Sequence, residues 1–275
     1  MTTEETSEDV PALHHTEIGE PGTGERVVFL HGLFGQGRNF TQVAKALLPE
    51  LVSTLVDLPN HGRSPWTGSV DYVEVADTVA AWLRATYDGD PVHLVGHSMG
   101  GKVAMVLALR HPELVDRLVV VDISPAPSDG AGEFEHLLTA LTSLDLASLE
   151  RRADADAALA GAIADERVRG FLLQNLRGSK DGGFHWQADL DLLLRDLPVI
   201  GGFPDDRIEA GQVFDHPVLW MAGERSPYVQ EEHEERMREL FPRVFTVTIK
   251  GAGHWVHSEQ PEAFVSALRV FLLAG

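Results

Sequence analysis

The sequence predicts an α/β fold, a mainly parallel central sheet flanked by helices, and three observations carry that prediction. Short apolar runs alternate with stretches of helical periodicity toward both ends of the chain. Runs such as Val27-Val28-Phe29-Leu30 and Leu118-Val119-Val120-Val121 are continuously apolar, as strands covered by helices on both faces must be. Histidine, serine and aspartate recur just past the ends of these runs, where an open parallel sheet places its ligands. The middle of the chain breaks the alternation and predicts a helical insertion.

Taken in order, residues 1–11 read as a polar, disordered tail and Leu13 to Ile18 as an edge strand. Val27 to Leu30 runs into His31-Gly32-Leu33-Phe34-Gly35. A helix is expected over Phe40 to Leu48, with Asn39 or Thr41 near its start as a cap. The strand Leu51 to Leu58 empties into the polar loop Pro59 to Trp66, and Val73 to Tyr87 is an amphipathic helix. Val92 to Val95 is the next strand, Gly101 to Arg110 the next helix, and Leu118 to Ile123 a β-branched strand. From Ala126 to Phe214 only helices are expected: Phe134 to Leu144, Leu149 to Ala164, Val168 to Leu176 and Leu190 to Arg195. Strands return at His216 to Ala222 and Val244 to Ile249, with helices at Glu231 to Leu240 and Pro261 to Leu273. The domains expected are a core of residues 1–125 and 215–275 and a helical cap of residues 126–214, inserted after the sixth core strand.

Composition narrows the function. The 275-residue chain is 44% hydrophobic, enough for one large core. Its net charge of −20, from 42 acidic against 22 basic residues, disfavours nucleic acid and anionic membranes as partners. It has no cysteine, which excludes disulfides, thiolate metal sites and cysteine nucleophiles. No apolar run is long enough to span a membrane. The acidic N-terminal residues lack the features of a secretory or mitochondrial leader, so a cytoplasmic location is expected. Oligomeric state is not legible.

The chemistry centres on Gly96-His97-Ser98-Met99-Gly100, a Gly-x-Ser-x-Gly pattern between an apolar strand and a helix. Glycines on both sides let the chain turn sharply and present the Ser98 hydroxyl as a nucleophile above the sheet edge. Serine needs a base, and Gly251-Ala252-Gly253-His254-Trp255 supplies a histidine on a loop between a late strand and a helix. His254 and His257, three apart, are read as this base and a helix-capping neighbour rather than a zinc pair. No metal or organic cofactor is called for. His31 and His97 are read as loop-ordering residues at the edge of a pocket that Phe34, Phe171 and Trp186 would help line, with Leu172 and Phe184 as further candidates; packing within the insertion is the alternative for Phe171, Leu172, Phe184 and Trp186.

These motifs together resemble the α/β-hydrolases over roughly residues 25–125 and 215–275. The longer matches Leu30 to Gly35, Asp57 to Ser64, Val121 to Pro125 and Gly253 to His257 resemble one branch. That branch is the small bacterial esterases and acyl-thioesterases related to mitochondrial α/β-hydrolase domain eleven. The usual acid position after the strand ending at Ala222 reads Gly223-Glu224-Arg225-Ser226, with serine where an aspartate is common. The branch resemblance implies Asp122 instead, with Glu224 as the alternative. It also implies an oxyanion hole of the backbone amides of Leu33 and Met99, with Phe34 as the near alternative to Leu33. The expected activity is hydrolysis of a small-molecule carboxylic ester or acyl thioester through an acyl-enzyme. Carbon–carbon bond hydrolysis or cofactor-free haloperoxidation on the same three residues, or a receptor with little turnover, are the alternatives.

Overall fold

The computed structural model describes residues 12–128, 131–180 and 182–274, so the expected tail of residues 1–11 lies outside the described residues. Seven strands form one sheet in the order β1-β3-β2-β4-β5-β8-β9: β1 His15–Ile18, β2 Glu25–Leu30, β3 Leu51–Val56, β4 Val92–His97, β5 Val115–Val121, β8 Val218–Gly223 and β9 Val244–Ile249. Only β1 is antiparallel to its neighbour; the other pairings are parallel. The strand periodicity of two divides the core. Val28 and Leu30 of β2, with Leu118 and Val120 of β5, pack toward helices α2 (Tyr72–Tyr87) and α3 (Met99–Arg110). Val27, Phe29, Val119 and Val121 point the other way, against α1 (Thr41–Ala46) and α11 (Pro261–Leu272).

Helix ends follow local chemistry. Asp71 caps α2 by accepting from Val73 N and Glu74 N, and the helix closes at Asp88 in the left-handed region with φ 54°. Between the fifth and sixth strands of the large sheet lie α4 (Ala131–Thr142), α5 (Arg152–Leu159), α6 (Glu166–Leu173), β6 (Leu176–Gly178), β7 (Phe184–Trp186), α7 (Leu190–Arg195) and α8 (Leu197–Gly201). Two expectations are corrected here. The insertion follows the fifth strand of this sheet, not the sixth, because one antiparallel and four parallel strands are all that precede it. It is not purely helical either, since β6 and β7 pair as an antiparallel ribbon, Leu176 opposite Trp186. Strands of three residues are too short to show an alternating pattern. Helices α9 (Glu234–Leu240) and α10 (Val256–Glu259) complete the chain. No helix among the described residues is long and apolar enough to cross a membrane.

Candidate active site

The carboxyl ends of neighbouring strands deliver the reactive groups to one place. β4 stops at Ser98, whose φ of 54° and ψ of −121° place a non-glycine residue in strained backbone space. A Cβ at Gly96 would sit 2.3 Å from the Gly100 carbonyl oxygen, and one at Gly100 would sit 2.5 Å from that of His31. Neither position accepts a side chain without moving backbone. The turn is held by Ser98 N–H, which donates to Val121 O at 3.0 Å, and by Gly101 and Lys102, whose N–H groups donate to Ser98 O.

Asp122 follows β5, is fully buried and also has φ 54°. Its own N–H donates to Met221 O at 2.8 Å, continuing the sheet pairing past the strand end. His254 lies on the loop after β9. Its Nδ1 is 2.8 Å from Asp122 Oδ2 and its Nε2 is 3.0 Å from Ser98 Oγ. A carboxylate only accepts, so Nδ1 carries the proton and Nε2 is left to accept from the serine hydroxyl. Gly223 N–H donates to Asp122 Oδ1 at 2.8 Å, and the Ser226 hydroxyl donates to Oδ2. Ser226, at the position where an aspartate is common, thus bonds to Asp122 from one strand away. Glu224 is exposed and accepts from Gly251 N at 2.8 Å, ordering the same loop from outside.

Backbone groups of two loops lie beside Ser98. Met99 is the first residue of α3, so its N–H has no intrahelical acceptor. Leu33 follows Gly32, where a Cβ would lie 3.0 Å from Ser98 Cβ. Leu33, Met99 and Ser98 border one small cavity. Phe34 holds φ 63°, and its carbonyl accepts from Asn175 Nδ2 at 2.8 Å. His31 accepts from Leu58 N–H at Nε2, so its protonated Nδ1 donates to Gly32 O at 2.9 Å. His97 Nε2 donates to the His254 carbonyl at 2.8 Å. Burial lowers His31 to about 4 and takes His97 well below the ordinary imidazole range, where neighbouring His254 and His257 add repulsion. Both are neutral struts for the loops they brace.

His31, Leu33, Phe34, His97 and Phe171 border the cleft beside Ser98 and His254. It widens outward into a space of about 840 Å³ that shares Asn39, Phe171, Trp255 and His257. Trp186 borders neither part. It stands in the β6–β7 ribbon opposite Leu176 and packs on the hydrophobic core, which corrects its assignment to the pocket. His257 is not a helix cap either. It is the second residue of α10, 4.8 Å from the Phe40 ring and 5.0 Å from His97, and burial lowers it to about 4. Sequence reasoning missed the aromatic wall of Phe134, Tyr228 and Trp255, whose ring centroids lie 6.4, 4.4 and 6.1 Å from that of His254. Adjacency to His254 signalled Trp255. Nothing local marked Phe134 or Tyr228.

A strained serine turn, an imidazole and a buried carboxylate beyond the carboxyl ends of β4, β9 and β5 make an arrangement suited to nucleophilic chemistry in an α/β sheet. The chain belongs to the α/β-hydrolase fold family, whose model matches residues 25–261. It is 38% identical over 266 residues to the sn-1-specific diacylglycerol lipase ABHD11 of Mus musculus, covering 94% of this chain and 85% of that protein. It is 32% identical to Esterase YbfF of Escherichia coli K12, covering 90% and 92%. Among solved structures, a marine microorganism esterase aligns with a TM-score of 0.90 at 31% identity, over 95% of this chain and 99% of that one.

Proposed function

We propose that this chain is a serine hydrolase that cleaves small carboxylic esters, with acyl thioesters open to the same chemistry. The observation that carries the reading is the continuous hydrogen-bonded line Ser98 Oγ, His254 Nε2, His254 Nδ1, Asp122 Oδ2, with steps of 3.0 and 2.8 Å, ending at a strained elbow. In this reading His254 takes the Ser98 proton as the hydroxyl attacks the acyl carbonyl, then returns it to the departing alkoxide or thiolate. The Leu33 and Met99 amides hold the oxyanion, each contributing about 3 kcal/mol in the transition state. Water activated by His254 then attacks the acyl-Ser98 ester and releases the acid. Asp122 orients the imidazole and offsets the charge it gains. The residues 126–214 would act as a cap that shapes the acyl and leaving-group spaces. Names of the relatives, a diacylglycerol lipase and two esterases, agree with this chemistry.

Ser98→Ala is expected to lower kcat for a p-nitrophenyl short-chain ester by about 10⁶-fold and to abolish labelling by a fluorophosphonate, with the circular-dichroism spectrum unchanged. Retained turnover by a folded Ser98→Ala variant would remove the proposal.

A further inference from the structure

The chain is strongly acidic, yet it gathers positive charge at one place. Twelve of its eighteen arginines form ion pairs among the described residues. Of the six that do not, four come together where the core loops meet the cap segment. Arg38 Nη2 donates to Gln174 O at 3.0 Å, and Arg152 Nη1 donates to Leu176 O at 3.2 Å, two residues further along. Arg177 follows directly, its Nε bound to Gln187 Oε1 at 2.6 Å. Arg63 joins through Asp57, whose carboxylate accepts from Arg63 N–H on one oxygen and Gly37 N–H on the other.

Asp57 attracts Arg38, but both of its oxygens serve backbone amides. Three of the guanidiniums are pinned by carbonyl or amide oxygens, so they stay in place without a counter-ion. Arg38 is held below its ordinary value by partial burial and then by Arg177, Arg152 and Arg63, with Asp57 opposing. Arg177 is lowered in the same way, by burial and then by Arg152 and Arg63. Like charges fixed together with no salt-bridge partner among the described residues favour an anion from outside.

The position ties this group to the cleft. Asn39, next to Arg38, borders both parts of the cleft, and its Nδ2 donates to Gln174 Oε1 at 2.9 Å. We propose that Arg38, Arg63, Arg152 and Arg177 form a receptor for a phosphoryl or diphosphoryl group at the rim of the catalytic cleft, where it takes the phosphate-bearing leaving portion of an acyl substrate. Several guanidinium forks suit an anion with several oxygens and more than one charge better than a single carboxylate. A compact ligand is favoured over a membrane because charges beyond roughly 8 Å are screened at physiological salt. A phosphoryl group therefore meets the arginines, whereas an extended anionic surface meets the whole net charge of −20. Assignment of the anion to a leaving group rests on the ester-hydrolase reading; binding of the anion itself does not.

Titration calorimetry with sodium pyrophosphate separates these. The wild-type chain is expected to bind one equivalent, and Arg38→Gln/Arg63→Gln to bind it about tenfold more weakly or worse, with an unchanged circular-dichroism spectrum. Arg243→Gln, which removes an unpaired arginine elsewhere, should keep wild-type affinity. In kinetics, the KM for an acyl thioester of a phosphorylated thiol, relative to the same acyl group on a phosphate-free thiol, should rise about tenfold in the double variant. No saturable pyrophosphate binding, or equal binding by the double variant, overturns the site. Co-sedimentation with phosphatidylglycerol vesicles in place of pyrophosphate binding overturns it in favour of a lipid surface. An unchanged KM ratio overturns the leaving-group role. Pyrophosphate bound as expected with neither thioester turned over leaves the anion site standing and counts against the hydrolase reading.

Discussion

The strand ends and the segment above them are held in place by different means. At the sheet edge, Ser98 and Asp122 sit one residue past parallel strands, and their backbone N–H groups complete the pairing to Val121 and Met221. Their positions follow from sheet register, and both tolerate φ 54° because that register leaves the chain no other path. The inserted segment is tied down by side chains reaching across a seam. Gln36 Nε2 meets Asn175 Oδ1 at 2.7 Å, Tyr72 OH donates to Ile200 O at 2.7 Å, and Lys102 Nζ donates to Gly201 O and Gly202 O at 2.7 and 2.6 Å. The serine and the aspartate thus depend on backbone geometry, while the segment above them depends on a handful of polar contacts. Substitutions at the strand ends should therefore cost rate, and those at the seam should cost stability.

The sharpest way to break this comparison is to move the acid. Asp122→Asn is expected to lower kcat about 10⁴-fold by favouring the wrong His254 tautomer, while leaving the melting temperature within a few degrees. Ser226 already donates to the oxygen of Asp122 that faces His254. Adding Ser226→Asp to Asp122→Asn puts a carboxylate one strand over, within reach of the same imidazole, and should restore at least tenfold of the lost rate. Full activity in Asp122→Asn, with loss in Glu224→Gln, would show that the rate does not depend on the buried line of contacts.

How much of this is legible in the sequence follows the same division. Apolar runs of about four residues within the strands carry their own signal, so Ser98 and Asp122 could be placed at strand ends, and His254 on a loop after a strand, from the pattern alone. The serine at position 226 marked a missing acid, but only folding shows its hydroxyl turned toward Asp122. In the cap, three-residue strands leave no periodicity, and Trp186 reads as a pocket residue because an aromatic looks alike in a core and in a cleft. Arg38 and Gln174 are 136 residues apart, a separation at which local pattern says nothing. The net charge even pointed away from an anion site, because a sum over the chain hides a local cluster.

A second test acts on the braces around the site. His31, His61 and His257 are lowered mainly by burial, to about 4, 3 and 4, and His97 falls well below its ordinary value for the same reason. Each is buried neutral, so the unfolded chain binds more protons below the unfolded pKa of about 6.5. The stability these groups contribute is present above that pH and is lost as pH falls toward 4. Each adds up to about 1 kcal/mol per pH unit, so urea midpoints should drop steeply between pH 6.5 and 4 and stay level with respect to these groups above 7. A flat profile across that window would mean that these rings are already charged in the fold.

The smallest expected effect belongs to the seam. Lys102 is buried on α3, four residues past the nucleophile, and its ammonium lies against the carbonyls that end α8, 5.9 Å from the centre of the Tyr72 ring. In Lys102→Met, Gly201 O keeps its bonds from Ser128 N and Oγ, so chiefly Gly202 O is left without a donor. The loss should be about 2 kcal/mol by urea unfolding at pH 7, with kcat changed far less than in Asp122→Asn. Burial lowers Lys102 to about 7, below the unfolded value of about 10.4. Between those values the unfolded chain binds more protons, so the wild type gains stability as pH rises and the methionine variant does not. The deficit should therefore widen from pH 7 to 10. Parallel stability curves would show that the amine keeps its charge in the fold as it does in the unfolded chain, and a kcat loss rivalling that of Asp122→Asn would place Lys102 among the groups that govern the chemistry rather than the packing of the inserted segment.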